Sequence, residues 1–203
     1  MSEGSWDKVA GNVDFNLDID RARFMDLVAR EARILDFGCG YGRITRDLAE
    51  YGYAHVTGVD PSCAMIERGR QDFPGLSLRH LAGSELPFDD STFDAVIICA
   101  VFTCIPEAKG RNDVAAELNR VLKPGGIVHV SEFCSRESQR FVSGFGIPMW
   151  YSTPRELRGL FDSFICLHDE VVSVDTMSGE AASNYRAFIR KPPNRAMHEI
   201  SAC

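Results

Sequence analysis

An acid followed by three alternating glycines, Asp36, Gly38, Gly40 and Gly42, is the most chemically suggestive pattern in the chain. They sit in Ile34–Glu50, ILDFGCGYGRITRDLAE, where apolar residues lead to Asp36, the glycines alternate with Cys39 and Tyr41, and an amphipathic run follows. That order reads as strand, tight glycine turn and helix. Glycine takes φ angles other residues resist, and a ligand can approach its main chain without meeting a Cβ. The unpaired N–H groups that open the helix would then face that ligand. A glycine turn alone is a weak signal, because structural turns use glycine too. Asp60 strengthens it, lying twenty residues after Gly40 within His55–Pro61, where Val56, Gly58 and Val59 read as a second buried strand that ends in Asp60. An acid at the tip of the neighbouring parallel strand can accept both hydroxyls of a ribose, so an adenosine-containing ligand is implied.

The spacing departs from that of a dinucleotide site. Such a site reads G-x-G-x-x-G with the pyrophosphate on the helix N-terminus, whereas Gly38-Cys39-Gly40-Tyr41-Gly42 is followed by Arg43. With Val59-Asp60-Pro61-Ser62, the run from Leu35 to Gly42 resembles the class I S-adenosylmethionine-dependent methyltransferases, most of all their small-molecule type 11 branch. Their first motif is similar to L-D-x-G-C-G-x-G, and their second ends in an acid. The resemblance spans 34–191 and is strongest at Ile34–Asp60 and Leu122–Val130, the latter holding Leu122-Lys123-Pro124-Gly125-Gly126, in which Lys123–Gly126 reads as a tight turn before a fifth strand at Ile127–Phe133. It implies S-adenosyl-L-methionine as cofactor and S-adenosyl-L-homocysteine as product, with Asp36, Gly38, Cys39, Gly40, Gly42, Arg43, Asp60 and Pro61 as contacts. Leu81–Phe88, LAGSELPF, resembles the third motif of the family, but Ala82 stands where an aspartate usually meets the adenine amino group. That contact would fall to the backbone of Ala82 and Gly83, or to Ser84 or Glu85. Cys99 ends an almost continuous apolar strand, Phe93–Ala100, and open α/β sheets bind ligands at the carboxyl ends of their strands.

In methyl transfer from a sulfonium the donor carries the hard chemistry, and the protein supplies proximity, orientation and exclusion of water. A general base is needed only for an acceptor that arrives protonated with a high pKa. No base can be assigned; Glu132, Tyr151 and His168 are the ionisable groups expected near the site. Phe102, Phe145, Trp150 and Tyr151 are expected to wall a small, fairly hydrophobic acceptor. The segment after the fourth strand reads Cys-Ala-Val-Phe-Thr-Cys, without the acidic pair that an aminopropyl transferase would need for a polyamine. Two other readings stay open. One is a non-catalytic partner or activator that keeps the adenosine-binding fold, which Ala82 favours. The other is transfer to a metalloid held by Cys39, Cys99, Cys104 and Cys134, thiols that fall at the ends of adjacent strands.

The elements that would position these residues alternate strand and helix. The expected fold is a doubly wound, mostly parallel seven-stranded α/β sheet with helices on both faces and an antiparallel C-terminal hairpin, Phe164–Val174 and Ala182–Lys191. One domain is expected over 1–193, with 194–203 a tail. Residues 1–30 read as a lead-in or cap containing a helix over Arg21–Arg30 started by Asp20. Residues 134–152 read as an irregular lid loop hinged on Gly144 and Gly146. The 203 residues suffice to bury one core, and 45% hydrophobic with 25% charged is an ordinary globular balance. A net charge of −7 argues against nucleic acid, and no apolar run approaches a membrane span. Seven cysteines without a C-x-x-C pair or zinc-ligand spacing fit reduced thiols, so no metal and a cytoplasmic location are expected, for a monomer or homodimer.

Overall fold

A computed structural model describes residues 3–193. In chain order the elements are α1 (Glu3–Asp7), α2 (Arg21–Leu27), β1 (Arg33–Phe37), α3 (Arg43–Glu50), β2 (His55–Asp60), α4 (Cys63–Asp72), β3 (Ser77–His80) and β4 (Phe93–Cys99). A short 3-10 helix, Phe102–Cys104, follows, then α5 (Ala108–Val121), β5 (Leu122–Cys134), β6 (Gln139–Val142), β7 (Pro148–Tyr151), α6 (Pro154–Gly159), β8 (Ile165–Asp175) and β9 (Ala181–Arg190). Seven strands form one sheet in the order β3-β2-β1-β4-β5-β9-β8. The first five are parallel, and β9 runs antiparallel to both β5 and β8. This is the expected mostly parallel sheet with its antiparallel hairpin.

The central strands are apolar on both sides because both faces are covered. Leu35, Val96, Ile98 and Val128 pack with Leu118 of α5 and Leu157 of α6, while Ile34, Ile97 and Phe188 pack with Phe24 of α2 and Leu48 of α3. Each such side chain contributes roughly 1.5–3 kcal/mol by leaving water. The strand order reverses between β1 and β4, and this opens a crevice at their carboxyl ends.

Three elements differ from expectation. Residues 139–151 are not irregular: β6 and β7 form an antiparallel hairpin pairing Phe141 with Met149 and Arg140 with Trp150. Its turn is closed by Ser143 N donating to Ile147 O at 2.9 Å, with Gly146 at φ +76°. The glycines serve one tight turn, and the apolar residues on either side pair across it. Helix α2 ends at Leu27 rather than Arg30, because Val28 turns extended at φ −117° to become buried, and its carbonyl accepts from Tyr53 Oη at 3.0 Å. Lys123–Gly126 is not a free turn before the fifth strand but its irregular start, with Gly125 N donating to Lys191 O and Lys191 N donating to Gly126 O, both at 2.9 Å. The tail expected at 194–203 lies outside the described residues.

Candidate functional site

The glycine turn joins β1 to α3 in the crevice. Gly38 N and Cys39 N donate to Val59 O at 2.8 and 3.0 Å, which ties the turn to β2. Gly38 (φ +72°) and Gly40 (φ +56°) have no room for a side chain: a Cβ would lie 2.5 Å from Val101 Cγ2 and 2.6 Å from the Phe15 ring, respectively. Gly42 is the N-cap of α3 in the left-handed region.

Two buried carboxylates flank the turn. Asp60 accepts from Gly40 N through Oδ2 and from Ser62 N through Oδ1, each at 2.8 Å. Asp36 Oδ2 accepts from Thr45 Oγ1 at 2.7 Å. Burial pushes both carboxyls up to about 6. Arg43, at the first position of α3, donates to Asp18 and to Leu17 O, and its buried Nε has no partner among the described residues.

These groups line one cavity. Its floor is Asp36, Gly38, Cys39, Gly40, Arg43, Ile44, Asp60 and Pro61; Cys99, Ala100, Val101 and Cys104 form the wall after β4; and Phe133, Met149 and Met177 form an apolar far side. The lead-in supplies Trp6, Phe15, Asn16 and Leu17 as the roof. Phe15 stacks on Tyr41 with centroids 5.4 Å apart, and Arg68 anchors the chain behind it by donating to Ala10 O at 2.8 Å and Val13 O at 2.6 Å. Asp7 accepts from Ser62 Oγ at 2.6 Å and Ala64 N at 3.1 Å, at the start of α4.

Eight of the expected cofactor contacts therefore converge: Asp36, Gly38, Cys39, Gly40, Arg43, Asp60, Pro61 and Cys99. Gly42 lies beneath them against Leu78. Ala82, Gly83 and Ser84 are exposed in the loop after β3 and do not line the cavity, although Leu81 N donates to Asp60 O at 2.9 Å.

The expected acceptor residues are more scattered. Phe102 is fully buried against Phe161, Phe145 is exposed in the β6–β7 turn, and Trp150 is half-buried with the Arg111 guanidinium 5.0 Å from its ring. Tyr151 stacks on Phe133 at 5.7 Å and faces a neighbouring polar groove with Gln139, Arg136 and Glu180. Burial raises the pKa of its phenol. His168 sits in mid-strand on β8, 3.9 Å from Glu170, outside the cavity. Glu132 is fully buried and bonded to the backbone of 101–103, out of reach of any substrate. The thiols of Cys39, Cys99 and Cys104 line the cavity with their pKa values raised by burial, Cys99 to about 12. Among the described residues no group of three or more His, Cys, Asp or Glu side chains could hold a metal ion.

Phe15, Leu17, Phe133 and Met177 were not singled out from the sequence as site residues, whereas Met149, expected in the lid wall with Phe145, Trp150 and Tyr151, does line the cavity. The alternation Val13, Phe15, Leu17 was a usable signal for the lead-in; Met177, in the turn after β8, gave none.

Comparison with known proteins agrees with this geometry. A profile of the methyltransferase domain matches residues 35–130. The chain is 41% identical over 104 residues to a demethylmenaquinone methyltransferase of Clavibacter sepedonicus, covering 50% of this chain and 41% of that protein. It is 36% identical over 107 residues to a sterol 24-C-methyltransferase of Gibberella zeae, covering 50% of this chain and 27% of that protein. The chain thus spans less than half the length of these relatives. Among solved structures, an S-adenosylmethionine-dependent methyltransferase of Methanosarcina mazei superposes with a TM-score of 0.78 at 25% identity, covering 87% of this chain and all of that one.

Proposed function

Because the chain belongs to the S-adenosylmethionine-dependent methyltransferases, we propose that it moves a methyl group from S-adenosylmethionine to a small hydrophobic acceptor in the crevice between β1 and β4. The observation that carries the reading is the union of a side-chain-free glycine cradle with buried Asp60 at the tip of β2. Each oxygen of Asp60 already accepts one backbone N–H, and a carboxylate has about four lone-pair sites, so two ribose hydroxyls can still be accommodated. Asp36 puts negative charge in the same cavity, and Arg43 Nε is a buried donor left over for a ligand. When bound, the donor would supply an electrophilic methyl, its carbon–sulfur bond breaking with the electron pair left on sulfur as an electron pair of the acceptor forms the new bond. The protein holds the two in line and keeps water out.

The acceptor side is Phe133, Met149 and Met177, an apolar and partly flexible wall suited to a flat or branched hydrocarbon. Names of the relatives, which specify demethylmenaquinone and sterols, support the same acceptor class. The hairpin β6–β7, carrying Met149 and Trp150, serves as the lid in this reading. We place the protein in the cytoplasm, as a monomer or homodimer acting on a small molecule rather than nucleic acid; among the described residues no helix is long and apolar enough to cross a membrane. Incubating the protein with methyl-labelled donor and fractionated metabolite extracts tests the proposal. Label should enter an organic-soluble, apolar fraction with equimolar S-adenosylhomocysteine, and label found only in polar fractions would refute the acceptor class.

A further inference from the structure

Glu132 points from β5 under the carboxyl end of β4, with no exposed surface. Its Oε1 accepts from Val101 N at 2.7 Å and Phe102 N at 3.0 Å, and its Oε2 accepts from Thr103 N at 3.0 Å and Thr103 Oγ1 at 2.7 Å. The acceptor capacity of the carboxylate is committed to one loop, so Glu132 cannot take a proton from a substrate. At the other end of that loop, buried Arg111 donates to Ile105 O at 2.8 Å and Pro106 O at 2.9 Å. An anion at the N–H end and a cation at the C=O end bracket residues 101–106.

The bracketed loop is a wall of the cavity. Val101 presses against Gly38, leaving no room there for a Cβ, and Ala100, Val101 and Cys104 face the interior. Ala100 is held at φ +55°, a conformation that L side chains rarely adopt, with its N–H donating to Ser131 O at 2.9 Å and its carbonyl accepting from Cys104 Sγ at 3.2 Å. The charge also reaches the interior: after burial, Glu132 is the next cause raising the pKa values of the Cys99 and Cys104 thiols that line it.

We propose that Glu132 is a positioning residue for methyl transfer, bracing residues 100–104 as the donor wall and, by its buried charge, making the cavity prefer the cationic donor to the neutral thioether left after transfer. The inference rests on the reading of this cavity as the donor site. Donor and product differ by one methyl and one positive charge, so their affinity ratio reports mainly the charge, and a charge shielded from water acts more strongly than one in solution.

Calorimetric titration of S-adenosylmethionine and S-adenosylhomocysteine into wild type, Glu132→Gln and Thr103→Val tests both parts. Glu132→Gln removes the charge and should lower the donor-to-product affinity ratio by about threefold or more. Its kcat/KM for donor should fall while the KM for acceptor stays put. Thr103→Val keeps the charge and removes one hydrogen bond; donor and product should weaken together, by about two- to fivefold, with their ratio unchanged. An unchanged ratio in Glu132→Gln overturns the charge role. Unchanged affinities in Thr103→Val overturn the bracing role, and that variant keeps the test available if Glu132→Gln does not fold. Wild type that fails to bind donor would instead sink the donor-site reading itself, and the inference with it.

Discussion

At the scale of single residues, the proposed donor site depends on carboxylates held away from water. Asp60→Ala should weaken donor binding by roughly 1–3 kcal/mol, the range for leaving buried hydrogen-bond partners unmet. Titration calorimetry checks this, and an unchanged affinity would move the ribose contact elsewhere. The pH dependence follows from Asp36 and Asp60, whose ordinary value of 3.8 is raised to about 6 by burial. Between those values the folded protein holds protons that the unfolded chain has released. These two groups therefore lower stability as the pH rises through about 6, a cost relieved again on acidification. Donor binding has the opposite sign, because a sulfonium favours ionised carboxylates and should expel their protons. Affinity should rise from pH 5 to pH 7 with proton release near pH 6, measured by titration in buffers of different ionisation enthalpy; a flat profile would show that neither acid senses the donor. Asp36, the glycines and Asp60 were legible in the sequence because their roles depend on local spacing. The bracing contacts of Glu132 were not, because its partners lie 29 to 31 residues away and only the folded sheet brings them together.

At the scale of elements, the hairpin β6–β7 is the part most open to test. Trp150 is half-buried on β7, beside Met149 in the cavity wall, and its ring faces Arg111, the cation that holds the loop after β4. Trp150→Ala should reduce methyl transfer yet leave donor affinity within about one 1.4 kcal/mol step, because the proposed donor contacts lie at the ends of β1 and β2. Steady-state kinetics beside donor titration checks this, and a donor affinity that collapses with activity would show the hairpin to be part of the donor site. Strand β4 was legible because Phe93-Asp94-Ala95-Val96-Ile97-Ile98 is the apolar run of a strand covered on both faces. The hairpin was not, because Gly144 and Gly146 read as mobility, whereas cross-strand pairs such as Phe141 with Met149 hold the two arms together. Helix α2 was overextended for a related reason: Val28 fits a helical face, but its burial under Tyr53 requires an extended backbone.

At the scale of the whole molecule, the parallel sheet, its crossovers and the antiparallel β8–β9 pair were legible from alternating strand and helix patterns. How the lead-in closes the crevice was not, since it depends on ties such as Arg68 to Ala10, 58 residues apart, and Arg43 to Leu17, 26 apart. Arg68→Ala would leave two carbonyls of the lead-in without their donor and strip the guanidinium from the face of Tyr41. A loss of about 1–3 kcal/mol is expected, read as a Tm lower by roughly 2–4 °C per kcal/mol. Donor binding should weaken with it, because Phe15 and Leu17 roof the cavity; a lower Tm with full donor affinity would separate the lead-in from the site.

A sulfonium nucleoside is the proposed occupant of the crevice between β1 and β4. Titration of S-adenosylmethionine, S-adenosylhomocysteine and NAD into the wild-type chain, and into Asp60→Ala, tests it most directly. One site per chain is expected for the first two, none for NAD, and weakened binding in the variant. Binding of NAD without S-adenosylmethionine would contradict this assignment, as would donor binding indifferent to Asp60.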